Sequence, residues 1–541
     1  MKTAYLNGKV YTVDDAQPWA QALLVEDGTI VAVGTDEEIL ARADGDAETV
    51  DLDGHMVMPG IHDAHLHLLF SGLKFRYEAR LRPGAGPREI VEDLRNCQCH
   101  GPVDRNGNEW IIGGEFLPQA FGDEGVDNRF LDDAFPDSPV FLFDYSIHHG
   151  LANTRALELA GIGPQEQEPG VLRSEASGHL TGELVEQARW PVMRAIPPYP
   201  EDTAADAVAW AVSMCHRHGI TSVQEASAGP RTLQAFNTLD RDGKLKLHIA
   251  AHLVWREEGF GGASIAELDH TIENREAWRS EHVDPGFIKI WLDGAPLPPH
   301  KTEAGLTPEN EIEESKILIP RDELAQALLR FDAAGLRVKI HCAGEGAIRA
   351  ALDAIAFVRQ HNGPNGPAHE LAHAGFISGQ DYGRLPRLNA TAEMSPAIWH
   401  LPEYGLQDGF RFKSVLSHGA AMTVGSDWII TESPNLFPGL QGMLEHGSEA
   451  VGLAEAIKAI TLSGARAVGR EDRQGTLSPG KTADFIVLDR NLFEVPKTEI
   501  GSTQVLRTVF EGETVYPTPP NHIEMRQSAV AESHTPPGGD R

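Results

Sequence analysis

The chain contains little cysteine and no long apolar run, and each shortage excludes a class of protein. Its 541 residues include 4 cysteines, too few for a disulfide scaffold, which favours a reducing compartment. No stretch reaches the length of a membrane-spanning helix, and the opening MKTAYLNGKVYTVDD lacks the apolar centre of a signal peptide. We therefore expect a soluble, cytoplasmic protein.

Positive charge is also scarce. Lys and Arg number 46 against 79 Asp and Glu, which gives a formal net charge of -33. Such a surface repels nucleic acid and anionic membranes, so we expect neither as a partner and expect a small-molecule substrate instead. Cys97 and Cys99 in NCQCH could indicate a metal knuckle, but no second cysteine pair lies near them.

Both ends of the chain show the texture of antiparallel strands. Residues 1–57 alternate short apolar runs with Asn-Gly and Asp-Gly turns, and the same pattern returns in TADFIVLDRN and QVLRTVFEGETVY. We predict one small β-sandwich built from residues 1–57 and 471–518. The polar, Pro-rich residues 519–541 are predicted to be disordered.

The middle of the chain alternates strand-like and helical segments. Short apolar runs such as GITSVQEA, GFIKIWLDGA, LRVKIHCAGEG and AAMTVGSDW are separated by helical stretches such as TAADAVAWAVSMCHRH. This alternation predicts the α/β class, with a (β/α)8 TIM-like barrel over residues 58–470. Residues 75–190 break the rhythm and are rich in Gly, Pro and acidic residues, so we predict an insertion after the first barrel strand.

The stretch VMPGIHDAHLHLLF carries the first candidate site residues. Asp63, His65 and His67 occupy every second position directly after a strand-like run. Alternate side chains of a strand point to one face, so these three converge, and a metal ion would explain the convergence. Chance placement in a chain with 24 histidines is the alternative.

Four further polar residues, Lys289, His341, His373 and Asp427, interrupt or end strand-like runs, and the ends of the strands are where a barrel carries its active site. Each has a structural alternative, because a core lysine, a core histidine or a helix-capping aspartate would look the same. Their recurrence in chain order on successive predicted strands favours one shared site.

With these motifs the chain resembles the amidohydrolase superfamily, and most closely amidohydrolase family 3, which includes N-substituted formamide deformylase. The resemblance covers nearly the whole chain, from GKVYTVD and VMPGIHDAHLHL through GLANTRALELAGI, KIWLDGA and TVGSD to GTLSPGKTADFIVLD. It implies a metal-dependent hydrolase of carbon–nitrogen bonds other than peptide bonds, and a homodimer.

The resemblance also implies roles for particular residues. His65 and His67 would bind one metal, and His341 and His373 a second. Lys289 matches a lysine that many relatives carboxylate with CO2 so that it bridges two metals.

Asp427 matches the catalytic aspartate on the last strand, and Asp63 would contact a metal-bound imidazole. Imidazole and carboxylate ligands suit divalent ions, with zinc expected. A bound metal lowers the pKa of water from 15.7 to about 7, and Asp427 would then move the proton to the leaving nitrogen.

Some positions depart from the family pattern. Ala372 precedes His373 where Glu is common, and Glu370 supplies an acidic residue nearby instead. Glu345 stands in a loop that usually carries Asp, and His148 stands where relatives have a histidine near the active site. We predict that Glu345, Glu370 and His148 contact the metal ligands or the substrate, with a structural loop histidine as the alternative for His148.

Two other functions stay open at this stage. The same centre could hydrolyse an ester, a carbamate or a cyclic amide, because the metal does not choose the leaving group. A barrel that kept its fold could also be a non-catalytic regulator that binds a small molecule.

Overall fold

The structure is a computed structural model that describes residues 2–43, 45, 47–395 and 406–517. The predicted disordered tail at 519–541 lies outside these residues.

Eight parallel strands form the central sheet, and their neighbours follow chain order. In that order, from first to eighth barrel strand, they are Ile61–Leu66, Ile220–Ala228, His248–Val254, Val283–Trp291, Arg337–Cys342, His369–His373, Ala390–Met394 and Ala421–Val424. Most of their residues are buried, as in parallel strands covered by helices on the outside.

The eighth strand nearly closes the barrel against the first. Leu66 and Trp428 form an isolated parallel bridge, and the Asp427 amide donates to the His65 carbonyl oxygen at 2.7 Å. The predicted fold class is therefore confirmed. Closure also brings the two ends of the strand series, which carry His65 and Asp427, side by side.

Helices follow the barrel strands and pack apolar side chains against them in one extended core. The helices on this part of the chain are Leu68–Arg76, Glu201–Arg217, Pro230–Arg241, Glu258–Gly261, Ile265–Glu273, Arg321–Ala333, Glu345–Asn362, Arg384–Arg387, Phe412–Ser417, Phe437–Glu445, Leu453–Ala459 and Leu462–Ala467. Short 3-10 turns lie at Arg275–Trp278, Glu314–Lys316, Leu406–Asp408 and Gly447–Glu449.

Two further sheets are built from the chain ends, the first from the amino-terminal end alone and the second from both ends. The first has the order Thr29–Gly34, Ala22–Glu26, Lys2–Leu6, Glu48–Asp51. The second has the order Glu513–Tyr516, Val505–Phe510, Phe485–Leu488, Met56–Pro59, Lys9–Tyr11, Trp19–Ala20. A helix, Asp36–Arg42, and a 3-10 turn, Lys497–Ser502, accompany them.

The two terminal sheets share one core, which contains Tyr5, Leu23 and Val57 from the first end and Phe485 and Val509 from the last. This is the sandwich that the sequence predicts. Its strand Met56–Pro59 runs across the predicted boundary at residue 57, and the domain boundaries themselves stay predictions.

The part of the chain between the first and second barrel strands forms a six-stranded sheet. Its order is Val171–Arg173, Leu180–Val185, His149–Ala152, Val140–Asp144, Ile111–Phe116, Ala79–Arg80. Its helices and 3-10 turns are Pro87–Asn96, Pro118–Glu124, Arg129–Ala134, Thr154–Leu159, Glu186–Arg189 and Trp190–Ala195. An insertion after the first barrel strand is thus present.

Two observations bear on the compositional predictions. Cys97 and Cys99 lie beside each other, with their Cα atoms 5.1 Å apart. Within the described ranges, no helix is both long and apolar enough to cross a membrane.

Candidate metal centre

The strand ends bring the predicted ligands together in one place. His65 lies near the end of the first barrel strand and His67 directly follows it. Lys289, His341 and His373 lie near the ends of the fourth, fifth and sixth strands, and Asp427 lies just after the eighth. All six line one cavity. The site therefore lies at the face where barrel enzymes carry their chemistry.

His65, His67 and Asp427 form the tightest group. Each offers a ligand atom, these atoms lie within 4.8 Å of one another, and all three residues are buried. Asp427 Oδ1 lies 3.8 Å from His65 Nε2 and 3.5 Å from His67 Nε2. This arrangement of two imidazoles and a carboxylate suits a divalent transition metal.

The outer nitrogens of the first two histidines have fixed partners. His65 Nδ1 lies 2.7 Å from Oε2 of Glu393, a buried residue of the seventh barrel strand. His67 Nδ1 lies 2.7 Å from Ser227 Oγ, whose hydroxyl donates to Glu225 at 3.2 Å. A hydroxyl that donates to a carboxylate accepts from the imidazole, so the Nε2 lone pair of His67 faces the site.

The second pair of histidines shows the same orientation. His341 Nε2 lies 3.2 Å from the Gly294 carbonyl oxygen, which can only accept, so His341 Nδ1 carries the lone pair. That nitrogen lies 3.0 Å from His373 Nε2. Two nitrogen ligands about 2.1 Å from one ion lie roughly 3.0–3.4 Å apart for ligand angles of about 90–110°, so the observed distance is at the short end of the range for a shared metal.

Burial keeps these imidazoles neutral. It lowers the pKa of His65, His341 and His373 well below the ordinary value of 6.5, and the nearby Lys289 lowers each of them further. Neutral imidazole is the form that binds metals. The electrostatics of the cavity therefore favour a ligand role for these side chains.

Lys289 lies inside the cluster rather than in a surface ion pair. Its Nζ is 3.3 Å from His65 Nε2 and 4.8 Å from the centre of the Trp291 ring. Burial, together with the charge of Lys339, lowers the pKa of Lys289 to about 7. The amine is thus available in its neutral form near neutral pH.

Two of these residues have unusual backbone conformations. His373 has φ of 69° and Asp427 has φ of 50°, both in the left-handed region. Ala374, next to His373, is left-handed as well, with φ of 38°. Non-glycine residues rarely adopt this region, and such strain concentrates at functional sites.

His148 comes from the inserted sheet and joins the same cavity. Its ring centre lies 5.1 Å from that of His341, and its Nδ1 lies 3.0 Å from Glu186 Oε2. Burial opposes a charge on His148, but the Glu186 carboxylate raises its pKa above the ordinary value. A substrate contact for His148 stays a prediction, now with a position that allows it.

Asp63 is buried but lies against backbone. Its Oδ1 accepts from the amides of His65 and Ser426, each at 3.0 Å. It therefore fixes the loop that carries Asp427 to the first strand, and in the structure the carboxylate beside the His65 imidazole is Glu393.

Glu370 and Glu345 are absent from the described residues that line the cavity. Glu370 lies inside the barrel, with Oε2 3.3 Å from Lys339 Nζ. Glu345 begins the helix Glu345–Asn362. The predicted contacts of both with ligands or substrate therefore stay predictions.

A different carboxylate, Asp293, contacts the loop just before Glu345. Its side chain accepts from the amides of Ala343 and Gly344 at 2.9 Å and from Ala304 at 3.0 Å. A side chain at Gly344 would approach the Ala304 oxygen to 2.2 Å, so only glycine allows this contact. Asp293 Oδ1 lies 3.7 Å from His341 Nε2.

Sequence reasoning missed several neighbours of the predicted ligands: Glu225, Ser227, Glu393, Asp293 and Glu186. Glu225 and Glu393 lie near the ends of the strand-like runs TSVQEA and NATAEM, and a polar residue in such a run is the signal that pointed to Lys289 and Asp427. The tryptophans beside those two residues differ in position, since Trp291 lines the cavity whereas Trp428 is core.

The rest of the cavity is mainly apolar. It has about 670 Å³ of empty volume, part of it open to solvent, and its wall includes Phe260, Trp291, Leu297, Phe376 and Phe410. Phe260 stacks on Trp291 with ring centres 5.4 Å apart. An apolar pocket with a few convergent polar groups is the usual form of a small-molecule site.

The candidate metal ligands lie at the carboxyl ends of the barrel strands, which is where (β/α)8 enzymes carry their active sites. The chain belongs to the amidohydrolase family, because the model of that family's branch 3 matches residues 48–516. It is accordingly a hydrolase, and the resemblance that the motifs indicate is confirmed.

Relatives match along nearly the whole chain. N-substituted formamide deformylase of Arthrobacter pascens is 28% identical, over 94% of this chain and 97% of that protein. Protein LONG AFTER FAR-RED 3 of Arabidopsis thaliana is 26% identical, over 94% and 91%. An uncharacterized metal-dependent hydrolase of Pyrococcus horikoshii has a similar fold, with a TM-score of 0.73 and 20% identity over 92% of this chain and 100% of that one.

Proposed function

We propose that this protein is a metal-dependent hydrolase that cleaves the C–N bond of an amide, an N-substituted formamide or a related acylated amine. The observation that carries the proposal is the convergence of four imidazoles, Lys289 and Asp427 in one buried cavity. Similarity to N-substituted formamide deformylase supports the substrate class.

The donor set fits two divalent ions, with zinc as the expected metal. His65, His67 and Asp427 would hold one ion, and His341 and His373 the other. Glu393 completes the first group from outside, because a nearby cation favours the ionised form of a carboxylate whose pKa burial raises to about 8. When bound, the metal polarises the substrate carbonyl and makes water nucleophilic at neutral pH.

Lys289 would act as a carbamate. The neutral amine attacks CO2, a nitrogen–carbon bond forms, and a proton is released to solvent. The resulting anion has two oxygens in place of a cation that repels metal. The pKa near 7 and the 3.3 Å distance to His65 Nε2 support this role.

Asp427 would transfer the proton. Its carboxylate, among His65, His67 and His373, accepts a proton from the attacking water and returns it to the leaving nitrogen. His148 projects into the same cavity and would orient the substrate. Phe260 and Trp291 exclude water from one side, which strengthens these interactions.

The test is elemental analysis of the purified protein with and without the substitution Lys289→Ala. We expect close to two metal ions per chain in the native protein, a lower content in the variant, and loss of formamide and amide hydrolysis. Lys244→Ala, at an exposed lysine paired with Asp242, is the control and should change neither result. Native protein without metal would refute the mechanism.

Two alternatives remain distinguishable. Ester, carbamate or cyclic amide hydrolysis would use the same groups, because nothing in the ligand set selects the leaving group, and a substrate panel separates these. A non-catalytic regulator would bind a small molecule tightly and return it unchanged with metal present. The position of Asp427 beside the ligands favours catalysis over binding alone.

A further inference from the structure

A second and larger cavity lies beside the metal centre. It has about 2620 Å³ of empty volume, part of it open to solvent. The wall comes from the first barrel helix, the inserted sheet, the segment 193–205 and the helix Pro230–Arg241, and most of its side chains are apolar, among them Leu69, Phe143 and Met193. An apolar surface of this extent marks a binding site more often than plain surface.

The two cavities share a wall. Ile147 and Phe260 line both of them, and Ile429 and Ile430, just after the Asp427 loop, line one each. The Phe260 ring lies 6.1 Å from that of His67. The larger cavity therefore adjoins the cavity of the ligand cluster, with these shared side chains between them.

Ile147 is held in this wall by a strained backbone. Its φ is 62°, in the left-handed region, where a β-branched residue is a clear outlier. Its amide donates to the Asp144 carbonyl oxygen at 3.1 Å, which closes a tight turn at the end of an inserted strand. Strain of this kind persists where a side chain must occupy a set position at a ligand site.

The cavity also contains a buried polar group. Tyr199 lines it, and among the described residues the Tyr199 hydroxyl has no hydrogen-bond partner. Lys74, by contrast, is neutralised by Glu115 at 2.6 Å. Acidic side chains, among them Glu78 and Asp144, also line the cavity, so its apolar wall suits an uncharged group rather than an anionic one, and the Tyr199 hydroxyl is available for a polar atom.

We propose that the second cavity binds a long alkyl or aryl-alkyl substituent of the substrate. This inference rests on the proposed function and gives it a substrate class: acylated amines with an extended apolar group on the acyl or the amine side. The short formamides and acetamides would occupy the cavity at the metal centre alone.

The test is a chain-length series on the metal-loaded enzyme. One series lengthens the acyl group of a fixed amine, and the other lengthens the amine of a fixed formamide. In one of them kcat/KM should rise about fourfold per methylene over several steps. A flat response in both series would overturn the proposal.

A blocking variant ties the effect to the cavity. Ala205, on the helix Glu201–Arg217, lines the second cavity and is absent from the first. Ala205→Trp should abolish the gain with length and leave the shortest substrate within about twofold. Ala41→Trp is the matched control, because Ala41 is exposed on the helix Asp36–Arg42 and lines neither cavity. Equal losses for short and long substrates in Ala205→Trp would refute the assignment.

Binding without turnover separates this inference from the proposed function. Calorimetric titration of N-octylacetamide and N-ethylacetamide into metal-depleted enzyme should show tighter binding of the longer amide. Gln234→Trp, at another position of the second cavity, should weaken the binding of N-octylacetamide and leave that of N-ethylacetamide unchanged.

If the longer amide binds in this way but no acylated amine is hydrolysed, hydrolysis is refuted and the cavity assignment stands. If hydrolysis occurs and length affects neither rate nor binding, the cavity assignment fails alone.

Discussion

The groups around the ligands determine what each imidazole can do. Glu393 and the Ser227–Glu225 pair take the outer nitrogens of His65 and His67, and the Gly294 carbonyl takes that of His341. Each partner selects a tautomer that directs the other nitrogen inward. Without these partners, every ring would have two orientations, and the site would lose preorganisation.

We predict that Glu393→Gln weakens metal binding by about 10–100-fold, because the amide keeps the shape of the side chain and removes its charge. Competition with a chelating dye measures the affinity. Glu494→Gln, at an exposed glutamate paired with Lys9, serves as the control and should keep the native affinity. Native affinity in Glu393→Gln would show that this carboxylate does not support the His65 ligand.

At the scale of elements, the barrel closes where the eighth strand meets the first. Gly425 lies so close to His65 that an added Cβ would come within 2.5 Å of the His65 Cβ and 2.6 Å of its backbone nitrogen. The absence of a side chain at residue 425 thus allows His65 and Asp427 to share one site.

Gly425→Ala should therefore destabilise the protein by about 1–3 kcal/mol, the usual cost of overpacking a core. Thermal unfolding followed by circular dichroism measures the loss. Gly379→Ala is the matched control, because a Cβ there meets nothing within 4 Å. Equal melting temperatures for the two variants would contradict the closure argument.

The elements were largely predictable from the sequence, whereas their cross-connections were not. A polar residue that interrupts or ends a strand-like run pointed to Lys289, His341 and Asp427, because a buried parallel strand has few reasons to contain one. The contact between His65 and Glu393 joins residues 328 positions apart. Such a pair depends on barrel closure, which no local pattern encodes, so the position of Glu393 near the end of a strand-like run did not reveal its contact with His65.

The inserted sheet could not be predicted from the local sequence either. Its strands are short, and Gly and Pro between them predict loops as readily as sheet. His148 was found through the family pattern, but its partner Glu186, in a different element, was not.

At the scale of the whole molecule, a buried polar network joins the barrel to the terminal sheets. His282 Nδ1 lies 2.6 Å from Asp240 Oδ1, and His282 Nε2 lies 3.6 Å from Glu511 Oε2. Beside them, His248 Nε2 lies 3.1 Å from Asp484 Oδ2. Glu511 and Asp484 belong to the last part of the chain, so this network reports on contact between the two regions.

The network makes stability depend on pH. Burial disfavours a proton on His282, but the carboxylates of Glu511 and Asp240 raise its pKa above 6.5. Because the folded-state pKa exceeds the unfolded value, the stabilisation is fully present below pH 6.5 and is lost as pH rises through the folded pKa. His282→Asn should therefore lower the melting temperature at pH 5.5 and have less effect at pH 9.

Differential scanning calorimetry across this range measures the difference between the two proteins. His361→Asn, at an exposed histidine, is the control and should shift the melting temperature little at any pH. A deficit in His282→Asn that grows toward alkaline pH would reverse the expected sign and exclude the network as its source.

One of the terminal sheets contains strands from both chain ends, so it can be completed only after the last strands have been synthesised. Strand Met56–Pro59 lies between Lys9–Tyr11 and Phe485–Leu488, and it leads directly into the strand that carries His65. On a ribosome, its second neighbour emerges roughly 430 residues later, about 20–90 s at 5–20 residues per second. For most of that interval the predicted ligands His65 and His67 have been synthesised, while Asp427, which lies beside them in the folded protein, has yet to be translated. The candidate site therefore forms only after the late residues of the chain have been added.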